Sequence, residues 1–304
     1  MLFVYLPAYT GLPSRLENIG EVENKGFEFE LAALVANNET FRWDAAFNIS
    51  TNQTLALDVG PEGVIFPGNA FAGSGSIGTR LEVGNELGNF YGFMNDGVWQ
   101  LSEESEAAVY GLQPGDVKYR DLNSEGVING DDITIIGNGA PDFIWGFNNT
   151  FSYKGFDLNI FLQSIVGNDI FNLQRAIMMG TSGDVRTPTH ADILNSWTPE
   201  NPDTDVPAYP FSDTNVQIPE DSRFIEDGSF IRLRNVRLSY TVPKNQIFKG
   251  LTLYVSGQNL VTFTDYKGYD PEVSGAGNSN VDLSIDNGTY PNPRVYTGGL
   301  NATF

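Results

Sequence analysis

Apolar and polar residues alternate with a period of two along several stretches of this chain. Phe41, Trp43, Ala45, Phe47 and Ile49 share one parity, and Arg42, Asp44, Ala46 and Asn48 the other. Upstream, Phe27, Phe29, Leu31, Ala33 and Val35 alternate with Glu28, Glu30, Ala32 and Leu34. Successive side chains of a strand point to opposite faces, so each run predicts a strand with one apolar face. The polar link Asn37–Thr40 makes the two a hairpin. A second hairpin is expected from Phe143, Trp145, Phe147, Phe151 and Tyr153, a tight Lys154-Gly155 turn, and Phe156, Leu158, Ile160 and Leu162. A third runs from about Arg223 to Val242 and from Leu251 to Phe263, through the turn Pro243–Gly250. Its apolar phase slips: Ile231 and Leu233 have one parity, Val236, Leu238 and Tyr240 the other, which predicts a β-bulge near Asn235. The last expected strand is Arg294–Phe304.

Short connections alternate with long polar ones, at about 55–140, 167–222 and 264–293. A soluble sandwich has no reason to segregate loop length by end, whereas a transmembrane barrel has short turns on one side and long loops on the other. In that layout 55–140 holds an even number of further strands, with two expected and Leu87–Gln100 as one candidate. No run approaches the ~20 apolar residues of a membrane helix, but a barrel strand needs only ~9–11. Met1–Leu6 is apolar, yet Pro7 ends it and no cation precedes it, so no secretory leader is expected.

Composition narrows the function. The 304 residues include 17 Lys and Arg against 38 Asp and Glu, a net charge of −21. Such acidity argues against nucleic-acid binding, which needs cations to meet phosphates, and suits cation binding. With no Cys there is neither a disulfide framework nor a thiolate metal site. The 33 Gly suit turns and loops between strands.

The most specific local motif runs from Asp121 to Asp132. It matches a calcium loop at positions 1, 3, 5, 6, 8 and 12. Ca²⁺ takes hard oxygens, here from the Asp121, Asn123 and Glu125 side chains, the Val127 carbonyl and Asp132, with Gly126 at the sharp turn. Position 12 is Asp rather than the longer Glu, and no amphipathic helices flank the loop, so a regulatory sensor is excluded. The alternative is an Asx-rich turn without an ion. Gly73–Gly78 fits G-x-G-x-x-G but lacks the strand-then-helix context of a nucleotide site. The lone His190 has no nucleophile assigned to it by spacing, and no carboxylate pair stands out, so no catalytic residue is nominated. Arg232 and Arg234 either point into a polar lumen or form salt bridges to neighbouring strands, the latter favoured; Arg237 lies on the same strand. Trp99, Trp197, Tyr209 and Phe211 either stack on a sugar or pack the loops.

Several segments resemble SusC/RagA-type TonB-dependent outer-membrane transporters of Bacteroidota. They are Asn18-Ile19-Gly20 with Asn24-Lys25-Gly26-Phe27-Glu28, Gly88–Gly92, Pro114–Asp132, Pro141-Asp142-Phe143, Gly228–Val236, Tyr266–Glu272, Tyr290–Arg294 and the terminal Phe304. The matches keep family order over nearly the whole chain. The resemblance implies an all-β, antiparallel transmembrane β-barrel, of which residues 1–304 form only the C-terminal part, without the plug domain and with fewer than the family's about 22 strands. It implies an outer-membrane location, import of an oligosaccharide or peptide with a SusD-like surface lipoprotein, and energy from TonB through the missing N-terminal part. It implies no enzyme activity, and a piece that alone does not transport. The rival expectation is a secreted, calcium-stabilised β-rich binding module.

Overall fold

The computed structural model describes residues 2–5, 11, 14–17, 20–60, 63–65, 79–179, 189–209, 220–243, 249–273 and 283–303. Its main element is one seven-stranded antiparallel sheet. The strands are β1 (Glu21–Asn37), β2 (Phe41–Asp58), β3 (Phe143–Tyr153), β4 (Phe156–Val166), β5 (Phe230–Val242), β6 (Gly250–Thr264) and β7 (Val295–Thr303). Each pairs with its neighbour in chain order, so the sheet is a simple meander. The shortest has 9 residues and the longest 18, which meets the ~9–11 that span a bilayer.

The register puts the apolar parities of all seven strands on one face. Leu31 lies opposite Phe47, Phe47 opposite Phe147, and Phe147 opposite Leu162. Leu158 then faces Leu238, Leu238 faces Val255, and Leu253 faces Leu300. The other face carries Asn48, Asn148, Asn159, Arg237, Ser256 and Thr297. Many apolar-face residues are exposed, Phe27 at 64%, Phe263 at 65% and Leu300 at 67%. Soluble monomers rarely leave so many large apolar side chains exposed on one face.

The turns follow from local chemistry. Lys154 (φ 46°) and Gly155 (φ 86°) both have positive φ, which suits the twist of a two-residue hairpin. The Asn38 side-chain oxygen accepts the backbone N–H of Thr40 and Phe41, at 3.0 and 2.8 Å. The expected bulge falls at Arg234, which stands between the paired residues Leu233 and Asn235 and flips the apolar parity.

Two expectations are corrected. The segment after β2 adds no described strand to the wall, because β2 pairs directly with β3. Its strands pair among themselves instead, Asn89–Phe93 with Ile133–Asn138 and Asn95–Val98 with Val117–Tyr119. The strand expected from Arg223 is interrupted: 222–224 is a helical turn, Ile225–Asp227 pairs with Asp169–Phe171, and the wall resumes at Phe230. Gly73–Gly78, Phe211 and Phe304 lie outside the described residues.

All three long connections leave the same end of the sheet and merge. Phe93 bridges Asp221, joining the first to the second, and Phe171 bridges Ile285, joining the second to the third. Phe90, Phe171, Leu173, Met179, Phe224 and Ile285 form their shared apolar core. Gly92 is needed at one seam: a Cβ there would collide with the Glu220 carbonyl and lie 2.8 Å from Ile136 Cδ1. Gly92→Ala is expected to cost about 1–3 kcal/mol and to speed exchange of the Phe93 amide, which donates to Glu220 O at 2.8 Å. Gly130→Ala, whose Cβ meets nothing within 4 Å, serves as the control. Equal exchange at Phe93 in both variants would refute the seam.

Candidate functional site

The chemistry-bearing side chains gather where the wall meets this loop lobe. The seam between the first two loops closes on Asp221, which is fully buried. Its Oδ1 accepts the Arg223 backbone N–H at 2.8 Å, and its Oδ2 accepts from Asn95 Nδ2 and the Tyr119 hydroxyl, both at 3.1 Å. Burial pushes its pKa above the ordinary aspartate range, against the pull of the Arg223 guanidinium and these donors. Tyr266 lies between the second and third loops, packed with Ile170 and Val273, and donates to Asp286 Oδ2 at 2.6 Å. Its burial, then its bond to that carboxylate, raise its pKa.

A second polar cluster ties the third loop to the wall. Arg232, from the polar face of β5, is 1% exposed. Its guanidinium reaches Asp270 Oδ1 at 2.5 Å and Glu272 Oε2 at 2.8 Å, and its Nε donates to Thr262 Oγ1 at 3.0 Å. The bulged Arg234 reaches the same Glu272 oxygen at 2.7 Å. The favoured salt-bridge reading thus holds, but the partners stand on the loop rather than on neighbouring strands. The backbone N–H of Asn292 donates to Asp270 Oδ2 at 3.0 Å, closing the loop on itself. Arg237 instead lies over the Tyr254 ring, 4.5 Å from its centroid. Sequence reasoning missed Asp270, Glu272, Asn292 and Asp221. The run Tyr269-Asp270-Pro271-Glu272 was the available signal for the first two.

The expected cation loop is folded tightly. Asp121 Oδ1 accepts the N–H of Ser124 at 2.6 Å and Oδ2 that of Gly126 at 2.8 Å, while Asn123 Oδ1 accepts Glu125 N at 3.1 Å. Ser124 (φ 60°) and Gly126 (φ 81°) make the turn. Burial works to raise the Asp121 pKa, but the N–H groups of Gly126, Ser124 and Glu125 and the Tyr110 hydroxyl outweigh it and hold the carboxyl below 3.8. Val127 is exposed. Asp132 sits apart, fully buried, and clamps the loop by accepting Leu122 N at 2.8 Å and Asn129 N at 2.9 Å. Among the described residues no three His, Asp or Glu side chains converge on one metal position. A cation there would rely on Asp121, Asn123, Glu125 and the Val127 carbonyl.

The loop aromatics divide. Trp99 and Trp197 are buried and pack the loops: Trp197 Nε1 donates to Gln100 Oε1 at 3.0 Å, and Lys118 Nζ lies 4.4 Å from the Trp99 ring centroid. Tyr209 remains half exposed. His190 caps the turn 191–195, its Nδ1 accepting Asp192 N at 3.2 Å. A cleft of about 910 Å³ opens where β1–β3 meet the loops, lined by Lys25, Asn52, Glu86, Asn138 and Asp142 among others.

No protein-family model matches the chain. TonB-dependent receptor P3 of Formosa agariphila is 39% identical over 314 residues, 98% of this chain and 30% of that receptor. TonB-dependent receptor P26 of the same organism is 37% identical and covers the whole chain, and TonB-dependent receptor SusC of Bacteroides thetaiotaomicron is 26% identical over 99% of it. The chain spans about a third of the length of these curated relatives. The RagAB peptide transporter superposes with a TM-score of 0.77 at 24% identity, over 99% of this chain and 31% of its own, which shows the fold.

Arg232→Met leaves Asp270 without its cation and Glu272 with Arg234 alone, and is expected to cost about 3–5 kcal/mol, part of it recovered by adding Asp270→Asn. An unchanged denaturation midpoint in the single variant would sink this. The Asp121 pKa is lower folded than unfolded, so its contribution to stability is present above 3.8 and is lost as pH falls through the lowered value. In protein labelled at glycine nitrogen, the Gly126 amide shift is expected to titrate with a midpoint below 3.8. A midpoint at or above it contradicts the carboxylate's role.

Proposed function

Over nearly its whole length the chain belongs to the SusC/RagA-type TonB-dependent receptors, and from that premise we propose that it forms wall and outer loops of an outer-membrane nutrient importer. The carrying observation is the pairing of a lipid-compatible face on seven spanning strands with one folded lobe at a single end of them. In this reading the apolar face of β1–β7 meets lipid and the polar face lines the lumen. The lobe faces outward, where a SusD-like lipoprotein closes over the substrate, an oligosaccharide or a peptide. TonB supplies energy through parts of the receptor outside this chain. Alone, the seven-stranded sheet leaves the outer edges of β1 and β7 without a paired strand among the described residues, which lipid does not satisfy, so the isolated piece does not transport. The extensive apolar face weighs against a secreted binding module.

We also propose that the 121–132 loop holds a structural Ca²⁺. Three side-chain oxygens on alternate residues and a tight turn at Gly126 support it. The protein supplies the oxygens, and Asp132 acts as the clamp that keeps the loop ends together.

Antibodies against residues 101–112 are expected to label intact cells, with the protein in the outer-membrane fraction. Labelling only after lysis, with soluble protein, would overturn the import reading. Leu238→Arg, on the apolar face of β5, is expected to cost about 2–4 kcal/mol of insertion, and Ser239→Arg, one residue on and facing the lumen, far less. Equal membrane levels for the two would contradict the assigned faces. Calorimetric Ca²⁺ titration tests the loop: parent heats are expected and Asp121→Ala heats are not, whereas identical heats remove Asp121 as a ligand.

A further inference from the structure

The described arginine side chains from Arg42 to Arg234 are ion-paired, and Arg237 rests on Tyr254. Arg294 has neither kind of partner among the described residues. Among the described arginine side chains it is the one with neither, in a chain of net charge −21. Arg294 lines a cavity of about 380 Å³, where the third loop folds back over the polar face of β5 and β6. The acids near this cavity, Asp270 and Glu272, are matched by Arg232 and Arg234. The guanidinium of Arg294 therefore leaves the cavity with a net positive charge.

The rest of the lining describes the ligand. Tyr269 is 72% exposed and presents an open ring to the cavity. Thr262 accepts from Arg232 and keeps its own proton to donate. The Asn292 amide donates to Glu272 and keeps its oxygen to accept. Apart from Tyr269, the apolar side chains of the described lining are Pro271 and Pro291, which offers little to an apolar peptide side chain. We propose that this cavity binds a uronate unit of an acidic oligosaccharide. Arg294 pairs with the carboxylate, Tyr269 lies against the sugar ring, and Thr262 and Asn292 meet ring hydroxyls. A planar guanidinium matches a carboxylate with two parallel hydrogen bonds. The source of the ligand rests on the import reading, but binding itself needs no transport.

The test uses the protein in its natural polypeptide context, purified in detergent, with calorimetry of three probes: tri-galacturonate, neutral galactotriose and trialanine. Tri-galacturonate is expected to bind best, and its affinity to fall as salt rises. Arg294→Gln is expected to weaken it at least tenfold without changing galactotriose, and Arg294→Lys to keep part of the difference. Tyr269→Ala is expected to weaken both sugars. The assignment is overturned by equal tri-galacturonate affinity in parent and Arg294→Gln, by salt-independent binding, or by trialanine binding as tightly with the same dependence on Arg294. Because the protein is purified and in detergent, these outcomes are read separately from its location in the cell.

Discussion

Hydrocarbon offers no hydrogen-bond partners, so a strand that crosses it must satisfy its backbone on neighbouring strands and turn opposite polarities to its two sides. The seven-stranded meander meets both demands for its five inner strands, and the rest of the structure is arranged around that. Neighbours in sequence are neighbours in the sheet, so the connections at one end are short, that at Lys154-Gly155 being a two-residue turn. The parity of each strand has to match across every pair, from Leu31 beside Phe47 to Leu253 beside Leu300. Where the parity of β5 drifts, the bulge at Arg234 restores it. The same bulge brings Arg234 to the carboxylate that Arg232 also uses.

The long connections solve a different problem. Each alone is too irregular to bury much apolar surface, and a loop with free polar backbone has to be paired or wet. Here they share one core around Phe90, Phe171 and Phe224 and pair across their seams. The seams are polar and buried, with Asp221 at one and the Tyr266–Asp286 bond at another. Buried polar groups of this kind add specificity when every donor and acceptor is matched, and they cost heavily when one is removed. Arg232 extends the scheme to the wall by holding the third loop against β5. In the rim cavity beside it, Arg232, Thr262 and Asp270 are thereby held before any ligand arrives, which removes their share of the ordering cost of binding.

Much of the wall was legible in the sequence. The seven strands, the hairpins and the bulge follow from parity, because a period of two has a single structural meaning once one face must be apolar. Loop length distinguished the two ends of the sheet. The calcium-like segment is where the pattern said more than the contacts. Asp121, Asn123 and Glu125 stand on alternate residues as expected, but Asp132 serves as a buried clamp. The candidate Leu87–Gln100 misled for a physical reason: it contains Asn89–Phe93, a short buried strand that pairs with Ile133–Asn138 in the lobe, and such a strand reads locally like one of the wall. Trp99 and Trp197 were ambiguous because an aromatic in a loop reads alike whether it packs inward or waits for a ligand.

By itself, then, the sequence determined the class of fold, the faces of the strands and the kinship with outer-membrane receptors, because these depend on local alternation and on motifs contiguous in the chain. Tertiary structure alone decided that the described residues between β2 and β3 stay outside the wall, that three loops make one lobe, and that Arg232 meets Asp270 across 38 residues. It also decided that Arg294 is left without a partner among the described residues at the edge of a cavity. Those outcomes depend on which distant segments find one another, and pairings between distant segments are set by the whole packing arrangement rather than by any window of sequence.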